Sequence, residues 1–188
     1  GFGALGGGNI TARADGDLID FAASLPTTGH LTTRVGQLAR ASDLVVRGGG
    51  DLFARALGDI GGGFYTLGRG TARLVAGGNI AGGAPRPVLN YAATQSSNWW
   101  NDDNRGLDAL FGLMDAQVFL SAPGDVQIEG AYDLALVPQV CENISGLCTG
   151  IYGEGSAWIG LSERSRIDAV AAGGDLLFRA NGIAAATI

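Results

Sequence analysis

GGGNITARADGDL, residues 6–18, and GGGDLFARALGDI, residues 48–60, are two copies of one pattern. Aligned without a gap, they lie 42 residues apart and agree at 8 of 13 positions. A third copy, AGGDLLFRANG, occupies residues 172–182, and partial copies occur at 76–83 and 122–134. The shared kernel is Gly-Gly, then Asn or Asp, then an aliphatic residue. A kernel that recurs along the chain predicts a structure built from repeated short units.

Each kernel predicts a corner followed by a strand. Glycine adopts positive φ freely, and Asn or Asp tolerates it, so Gly-Gly-Asn/Asp is typical of a turn. The segments that follow, such as NITARA and DLFARA, alternate in part between apolar and polar residues, as a strand with one buried face does. Kernel residues recur eight positions apart, at Asn9 and Asp17 and again at Asp51 and Asp59. A strand of about five residues and a corner of about three account for that interval.

The alternation of strands and corners predicts an all-β fold, and in particular a right-handed parallel β-helix, or β-solenoid. Apolar side chains would line its interior, and successive coils would stack about 4.8 Å apart. If a coil takes roughly 20 residues, the 42-residue offset is close to two coils. We expect residues 1–188, which begin at Gly1 rather than Met, to be a single section of a longer solenoid chain. Its open strand edges would meet neighbouring coils of that chain or end-to-end copies of itself.

The composition excludes several classes of function. Gly accounts for 33 of 188 residues, yet 46% of the chain is hydrophobic, which is too apolar for a disordered linker. The 12 basic residues are all Arg and are scattered, and the net charge is −6, so nucleic acid is not an expected partner. One His and two Cys are too few for a zinc site, and we predict neither a metal nor a cofactor.

The kernels resemble those of the filamentous haemagglutinin-like family of large secreted bacterial exoproteins. The resemblance lies in GGGNITARA, GGGDLFARALGDI, AGGNI and AAGGDLLFRA, within residues 6–83 and 165–183. It implies a long right-handed β-helix that an outer-membrane secretion partner exports to the bacterial cell surface or the extracellular space. It also implies a structural or adhesive role without catalytic residues, with surface glycans of host or bacterial cells as contact partners.

Residues 84–116 interrupt the pattern and predict an insertion. Two prolines near its start are poorly suited to a central strand. Apolar residues at Leu107, Leu110, Phe111 and Met114 have the i, i+3, i+4, i+7 spacing of an amphipathic helix. We therefore expect a long loop with one short helix packed on the solenoid.

Two further segments are predicted loops. In residues 138–155, Cys141 and Cys148 enclose six residues rich in turn formers, and we expect a disulfide that pins this loop. The alternative is a pair of buried thiols. A disulfide would indicate an oxidising compartment. Residues 24–31, SLPTTGHL, are the other loop candidate and contain the only histidine, His30.

The stretch NWWNDDNR, residues 98–105, is the main candidate for a contact site. Aromatic rings can stack on sugars, and paired carboxylates can act as acid and base in glycosidic cleavage. The alternative function is therefore a carbohydrate-binding or carbohydrate-cleaving β-helix protein that uses the 98–108 loop. Adjacent strand residues point to opposite faces, which favours an anchoring role for the tryptophans. The candidate contact residues are Trp99, Trp100, Asp102, Asp103 and Arg105, with Asp108 as a further carboxylate.

Three arginines, Arg13, Arg55 and Arg179, occupy matching positions in the copies. In stacked coils they would form a row on one outer face. Such a row is either a solvated polar surface that limits side association or a stripe that binds an anionic ligand. Together with the predicted fold, the resemblance implies an extracellular structural or adhesive segment, a stalk or filament that acts by rigid extension and surface contacts.

Overall fold

The computed structural model describes residues 1–32, 43–83, 108–133 and 162–179. These residues confirm the all-β prediction, and their strands pair in parallel apart from one antiparallel pair, β5 with β6. The strands are β1 Phe2–Gly3, β2 Ile10–Ala14, β3 Leu18–Ile19, β4 Ala23–Leu25, β5 Thr27–Leu31, β6 Leu44–Gly48, β7 Leu52–Ala56, β8 Ile60–Gly61, β9 Phe64–Val75, β10 Ala109–Ala122, β11 Val126–Asp133, β12 Arg166–Ala171 and β13 Leu176–Phe178.

Parallel pairing arranges these strands in three ladders. Ladder 1 contains β1, β4, the first halves of β9 and β10, and the end of β11. Ladder 2 contains β2, β7, the second halves of β9 and β10, and β12. Ladder 3 contains β3, β8, Ile80, the start of β11, and β13. Within the described residues the chain visits ladders 1, 2 and 3 in that order five times, and we call each pass a unit.

The 42-residue offset between the two best copies spans one unit, so the prediction that it spans two coils is wrong. Ile10 pairs directly with Leu52, 42 residues away, and Leu52 pairs with Ala72, only 20 residues further on. The remaining 22 of the 42 residues correspond to segment 27–48, where β5 and β6 form a hairpin that leaves the ladders. A unit is therefore about 20 residues long, and the longer offsets contain insertions.

The short helix predicted from the spacing of Leu107 to Met114 is wrong. From Ala109 onward these residues belong to the 14-residue strand β10. β10 pairs with β9 on one side and with β11 and β12 on the other, and every residue from Ala109 to Met114 is buried. A strand buried on both faces shows no alternation, so periodicity alone does not distinguish its apolar run from a helix. Of the insertion predicted over 84–116, residues 84–107 lie outside the described part of the chain.

The loop predicted over residues 24–31 is also wrong. β4 places Ala23–Leu25 in ladder 1, and β5 pairs Thr27–Leu31 with β6. Pro26 separates the two strands and marks the corner at which the chain leaves ladder 1. The polar composition of this segment reflects a hairpin outside the ladders. The other predicted loop, 138–155, lies outside the described residues.

Inward side chains from the ladders form one buried core. Aromatic rings stack along ladder 1: the ring centroids of Tyr65 and Phe111 are 5.1 Å apart, and Phe21 lies 6.3 Å from Tyr65. Burial of this apolar surface is the main stabilising contribution, at about 25 cal/mol per Å². Ladder 2 carries alanine at one position in all five units, namely Ala14, Ala56, Ala76, Ala122 and Ala171.

A row of carboxylate and amide side chains marks the corner before ladder 3. The Oδ1 atom of Asp17 accepts a hydrogen bond from the backbone N–H of Asp59, 2.8 Å away. Three further residues repeat this contact with the next unit, at 2.6–2.9 Å. Each side chain thus satisfies a backbone donor at the corner. We call Asp17, Asp59, Asn79, Asp125 and Asp175 the corner row.

The glycine before each later corner-row residue is required by close approach between units. An added Cβ at any of four such glycines would overlap the Oδ1 atom of the preceding unit's corner-row residue. None of the four adopts positive φ, so the conformational reason predicted from the sequence does not apply to them. Positive φ occurs instead at the corner before ladder 2, for example 148° at Gly50. The four glycines are Gly58, Gly78, Gly124 and Gly174.

Candidate functional site: an arginine and phenylalanine face

The outward side chains of ladder 2 form a basic and aromatic surface. Alternation along β7 turns Phe53 and Arg55 away from the core. Parallel pairing sets Arg13 opposite Arg55 and sets Arg73 opposite Phe53. On the other side of Arg73 lies Phe119 of β10. Arg166, the first residue of β12, lies on the far side of β10. We call these six residues the Arg–Phe face: Arg13, Arg55, Arg73, Arg166, Phe53 and Phe119.

Cation–π contacts hold these side chains against one another. The guanidinium carbon of Arg13 lies 5.5 Å from the centre of the Phe53 ring. Arg73 and Arg166 both lie over Phe119, at 5.6 Å and 5.5 Å from the ring centre. Contacts of this kind at exposed sites stabilise by about 0.5–1 kcal/mol each. They also orient the guanidinium groups across the sheet.

The Arg–Phe face is positive on a chain whose net charge is −6. Arg166 forms an ion pair with Asp168, with 3.0 Å between Nε and Oδ2. Among the described residues, Arg13, Arg55 and Arg73 form no ion pair. Like charges directly opposite each other on paired strands disfavour the sheet, as at Arg13 and Arg55. An anion bound by both guanidinium groups would offset that repulsion, so the geometry suits an anionic ligand.

The sequence predicted this face only in part. Arg13 and Arg55 share a row as expected, but Arg179 does not, because it follows β13 in ladder 3. The third copy of the pattern begins at the corner before ladder 3, whereas the copy at 48–60 begins before ladder 2. Sequence analysis missed Phe53, Arg73, Phe119 and Arg166, and the segments of the last three lack the Gly-Gly-Asn/Asp kernel at that corner. The alternation of TARLV and QVFLSA is the signal that would have found them.

Asp108 is buried and acts as a clamp rather than as an exposed acid. It is 2% exposed, and its Oδ2 atom accepts a hydrogen bond from Nε of Arg179 at 2.7 Å. Its Oδ1 atom accepts a second one from the backbone N–H of Gly82 at 2.6 Å. The contact with Gly82 holds the two ends of segment 83–107 together, and the contact with Arg179 joins them to the residue after β13. Because both carboxylate oxygens are engaged, the geometry does not suit proton donation to a glycosidic oxygen.

The remaining candidate residues of the sequence lie outside the described part of the chain. Their contact role and the predicted disulfide stay predictions. They are Trp99, Trp100, Asp102, Asp103 and Arg105 of the 98–108 loop, and Cys141 and Cys148 of the 138–155 loop.

A third ion pair, between Asp115 and Arg164, lies at the corner between ladders 1 and 2. Asp115 accepts hydrogen bonds from the Ser162 hydroxyl and from Arg164, whose Nε lies 3.1 Å from Oδ1. Partial burial raises the pKa of Asp115, but these hydrogen bonds and the charges of Arg164 and Arg69 outweigh burial and hold the pKa below its usual value. The contact joins Ser162 and Arg164, which follow segment 134–161, to Asp115 of the preceding unit.

The first and last units leave apolar side chains open to solvent. In unit 1, Phe2 is 65% exposed and Leu5 is 69% exposed. In unit 5, Leu176 is 58% exposed, although its ladder partner Val126 is completely buried. The ladders therefore present apolar surface at both ends.

Comparisons with protein-family models, with curated proteins and with solved structures find no match to this chain. In the described residues, no group of three or more His, Cys, Asp or Glu side chains is placed to hold a metal ion. The same residues contain no helix with the length and apolar character needed to cross a bilayer.

Proposed function

We propose that residues 1–188 form a section of a right-handed parallel β-helix that serves as an extracellular structural and adhesive segment on the bacterial cell surface. The observation that carries this proposal is the constant register of ladder 2 across the five described units. A 20-residue step between parallel strands and one shared core are what coil-on-coil stacking requires. Such a stack is stiff, because hydrogen bonds along three ladders join each coil to its neighbours.

The function then depends on length and on surface contacts. Each coil extends the stack by about 4.8 Å, so a longer chain of this kind forms a stalk or filament. The Arg–Phe face supplies the contact surface. Its guanidinium groups suit the acidic groups of surface glycans on host or bacterial cells, and its phenylalanine rings offer flat apolar surfaces to sugar rings.

The resemblance of the kernels to filamentous haemagglutinin-like exoproteins supports the same function. On this proposal, an outer-membrane secretion partner exports the chain, and either neighbouring coils of the same longer chain or end-to-end copies continue the ladders. The oxidising exterior permits the disulfide between Cys141 and Cys148. Activity comes from extension and contact, without catalysis.

No observation on the described residues favours the carbohydrate-cleaving alternative. Its loop, 98–108, is described only at Asp108, where both carboxylate oxygens accept hydrogen bonds. Carbohydrate binding, the other half of that alternative, is shared with the adhesive function and is assigned here to the Arg–Phe face.

The shape is tested by electron microscopy of the native material at a resolution that shows strand spacing. We expect a rod whose coils repeat about every 4.8 Å along its axis. A compact globule with a cleft lined by Trp99 and Trp100 would contradict the proposal.

The contact surface is tested with the double variant Arg55→Gln/Arg73→Gln. Its binding to an immobilised acidic polysaccharide, polygalacturonate, should be weaker by about tenfold, or about 1.4 kcal/mol, because two guanidinium groups of the Arg–Phe face are lost. Surface plasmon resonance at two salt concentrations measures this, and binding should weaken at the higher salt. The matched control is Arg47→Gln on β6, an exposed arginine that is not a member of the Arg–Phe face. An equal loss in the control, or equal binding of neutral dextran, would exclude the Arg–Phe face as the contact site.

A further inference from the structure

The surroundings of Gly16 do not explain why this position is a glycine. It precedes Asp17, the first corner-row residue, just as Gly58 precedes Asp59. A Cβ at Gly58 would overlap the Oδ1 atom of Asp17 in the preceding unit, whereas a Cβ at Gly16 would have no atom within 4 Å. Gly16 does not adopt positive φ either. Its position therefore fits a corner against which another corner-row side chain packs.

The hydrogen bonds of the corner row have a direction. Each Oδ1 atom accepts from the backbone N–H of the next unit, so the first unit has a spare donor and the last unit a spare acceptor. Within the described residues, the N–H of Asp17 has no partner, and the Oδ1 atom of Asp175 accepts no hydrogen bond. The two ends of the row therefore complement each other.

The apolar side chains at the two ends also match. Ile167, the ladder 2 residue of unit 5, corresponds to Ile10 of unit 1, and both are only partly buried. Leu176 corresponds in the same way to Leu18 in ladder 3. The small residues between them also agree: Ala169 with Ala12, and Ala171 with Ala14. A second copy of the chain thus presents at its end the side chains that already stack inside one copy.

We propose that two copies of this chain associate head to tail, with unit 5 of one copy stacked on unit 1 of the next. The Oδ1 atom of Asp175 would accept the hydrogen bond from Asp17 N–H of the other copy, and Gly16 would leave room for that carboxylate. The apolar ends would be buried in the same step. Such an interface joins two different surfaces and does not close on itself, so association continues into filaments. This inference rests on the coil stacking in the proposed function.

The test measures self-association of the 1–188 chain by sedimentation velocity and light scattering, from about 1 µM to about 200 µM. The wild-type average mass should rise with concentration beyond that of a dimer. Gly16→Ala should weaken association by at least about tenfold, because its Cβ would meet the incoming carboxylate. Asp175→Ala should weaken it from the opposite end. Gly6→Ala, at a position that is also open but outside the corner row, is the control and should associate like the wild type.

A mixture of the two variants gives the sharpest result. Gly16→Ala retains a normal unit 5, and Asp175→Ala retains a normal unit 1, so an equimolar mixture should form one-to-one dimers that do not grow. A wild-type chain that remains monomeric, variants that associate like the wild type, or a mixture without dimers would each overturn the proposal. Circular dichroism and electron microscopy of the monomer separate this outcome from failure of the fold, because a folded rod that does not associate leaves the proposed function standing.

Discussion

Replacing Gly78 by alanine is expected to lower the free energy of unfolding by about 1–3 kcal/mol. The new Cβ would overlap the Oδ1 atom of Asp59 in the preceding unit. That oxygen already accepts hydrogen bonds from the backbone N–H and the side-chain amide of Asn79, at 2.6 Å and 3.1 Å. Relief of the overlap must therefore break the corner-row contact or separate two units. Urea denaturation followed by circular dichroism measures the loss.

Gly16→Ala is the matched control for this substitution. Both glycines precede a corner-row residue and neither adopts positive φ, but Gly16 has no atom within 4 Å of the added Cβ. In dilute monomer, Gly16→Ala should change the free energy of unfolding by less than about 0.5 kcal/mol. If Gly78→Ala and Gly16→Ala were equally mild, the close approach between units at Gly78 would be refuted.

Replacing Arg179 by alanine is expected to destabilise the fold by about 3 kcal/mol, the lower end of the range for breaking a buried ion pair. The substitution removes the Arg179 guanidinium from the carboxylate of Asp108, which is 2% exposed. The expected loss is at the lower end because the Arg179 side chain is itself 35% exposed. Thermal and urea denaturation measure the change in the free energy of unfolding. The hydrogen bond from the backbone N–H of Gly82 to Asp108 should weaken in the same variant.

The double variant Asp108→Asn/Arg179→Ala separates loss of charge balance from loss of packing. Asn retains an oxygen that can accept from the backbone N–H of Gly82 and removes the buried charge. We expect the double variant to recover more than half of the unfolding free energy that is lost in Arg179→Ala. If the free energy of unfolding of Arg179→Ala lay within about 0.5 kcal/mol of the wild-type value, the ion pair would contribute little to the stability of the fold.

The kernels predicted the strands and corners because Gly and Asn or Asp favour a turn and the aliphatic residue that follows favours a strand, and both preferences are local. The register was not predictable in the same way. Asp17 meets Asp59 across 42 residues, whereas Asp59 meets Asn79 across 20, and only the structure shows that the hairpin at 27–48 makes the difference. Because the insertions differ in length, residues that contact each other in successive units are separated by different distances along the sequence.

The errors in secondary structure have a related cause. Leu110 and Phe111 lie in a strand that is covered on both faces, and helical spacing arises there by coincidence. The Arg–Phe face was incompletely predicted because Arg73 meets Phe53 and Phe119 only through pairing across units. Side-chain alternation gives the outward direction of each residue, but the neighbours depend on a register that local sequence does not define.

The unequal spacing of paired residues also sets an order for folding. Pairs such as Leu52 with Ala72, and Phe111 with Ala131, close loops of about 20 residues, whereas Asp125 and Asp175 are 50 residues apart. Each doubling of a loop raises the entropic cost of closure by about 0.6 kcal/mol. We therefore expect two nuclei to form first, one around Leu52 and one around Phe111. We expect the two to dock through β9 and β10 and the outermost strands to join last, so that nascent chain on either side of each insertion gains structure before the insertion itself is closed.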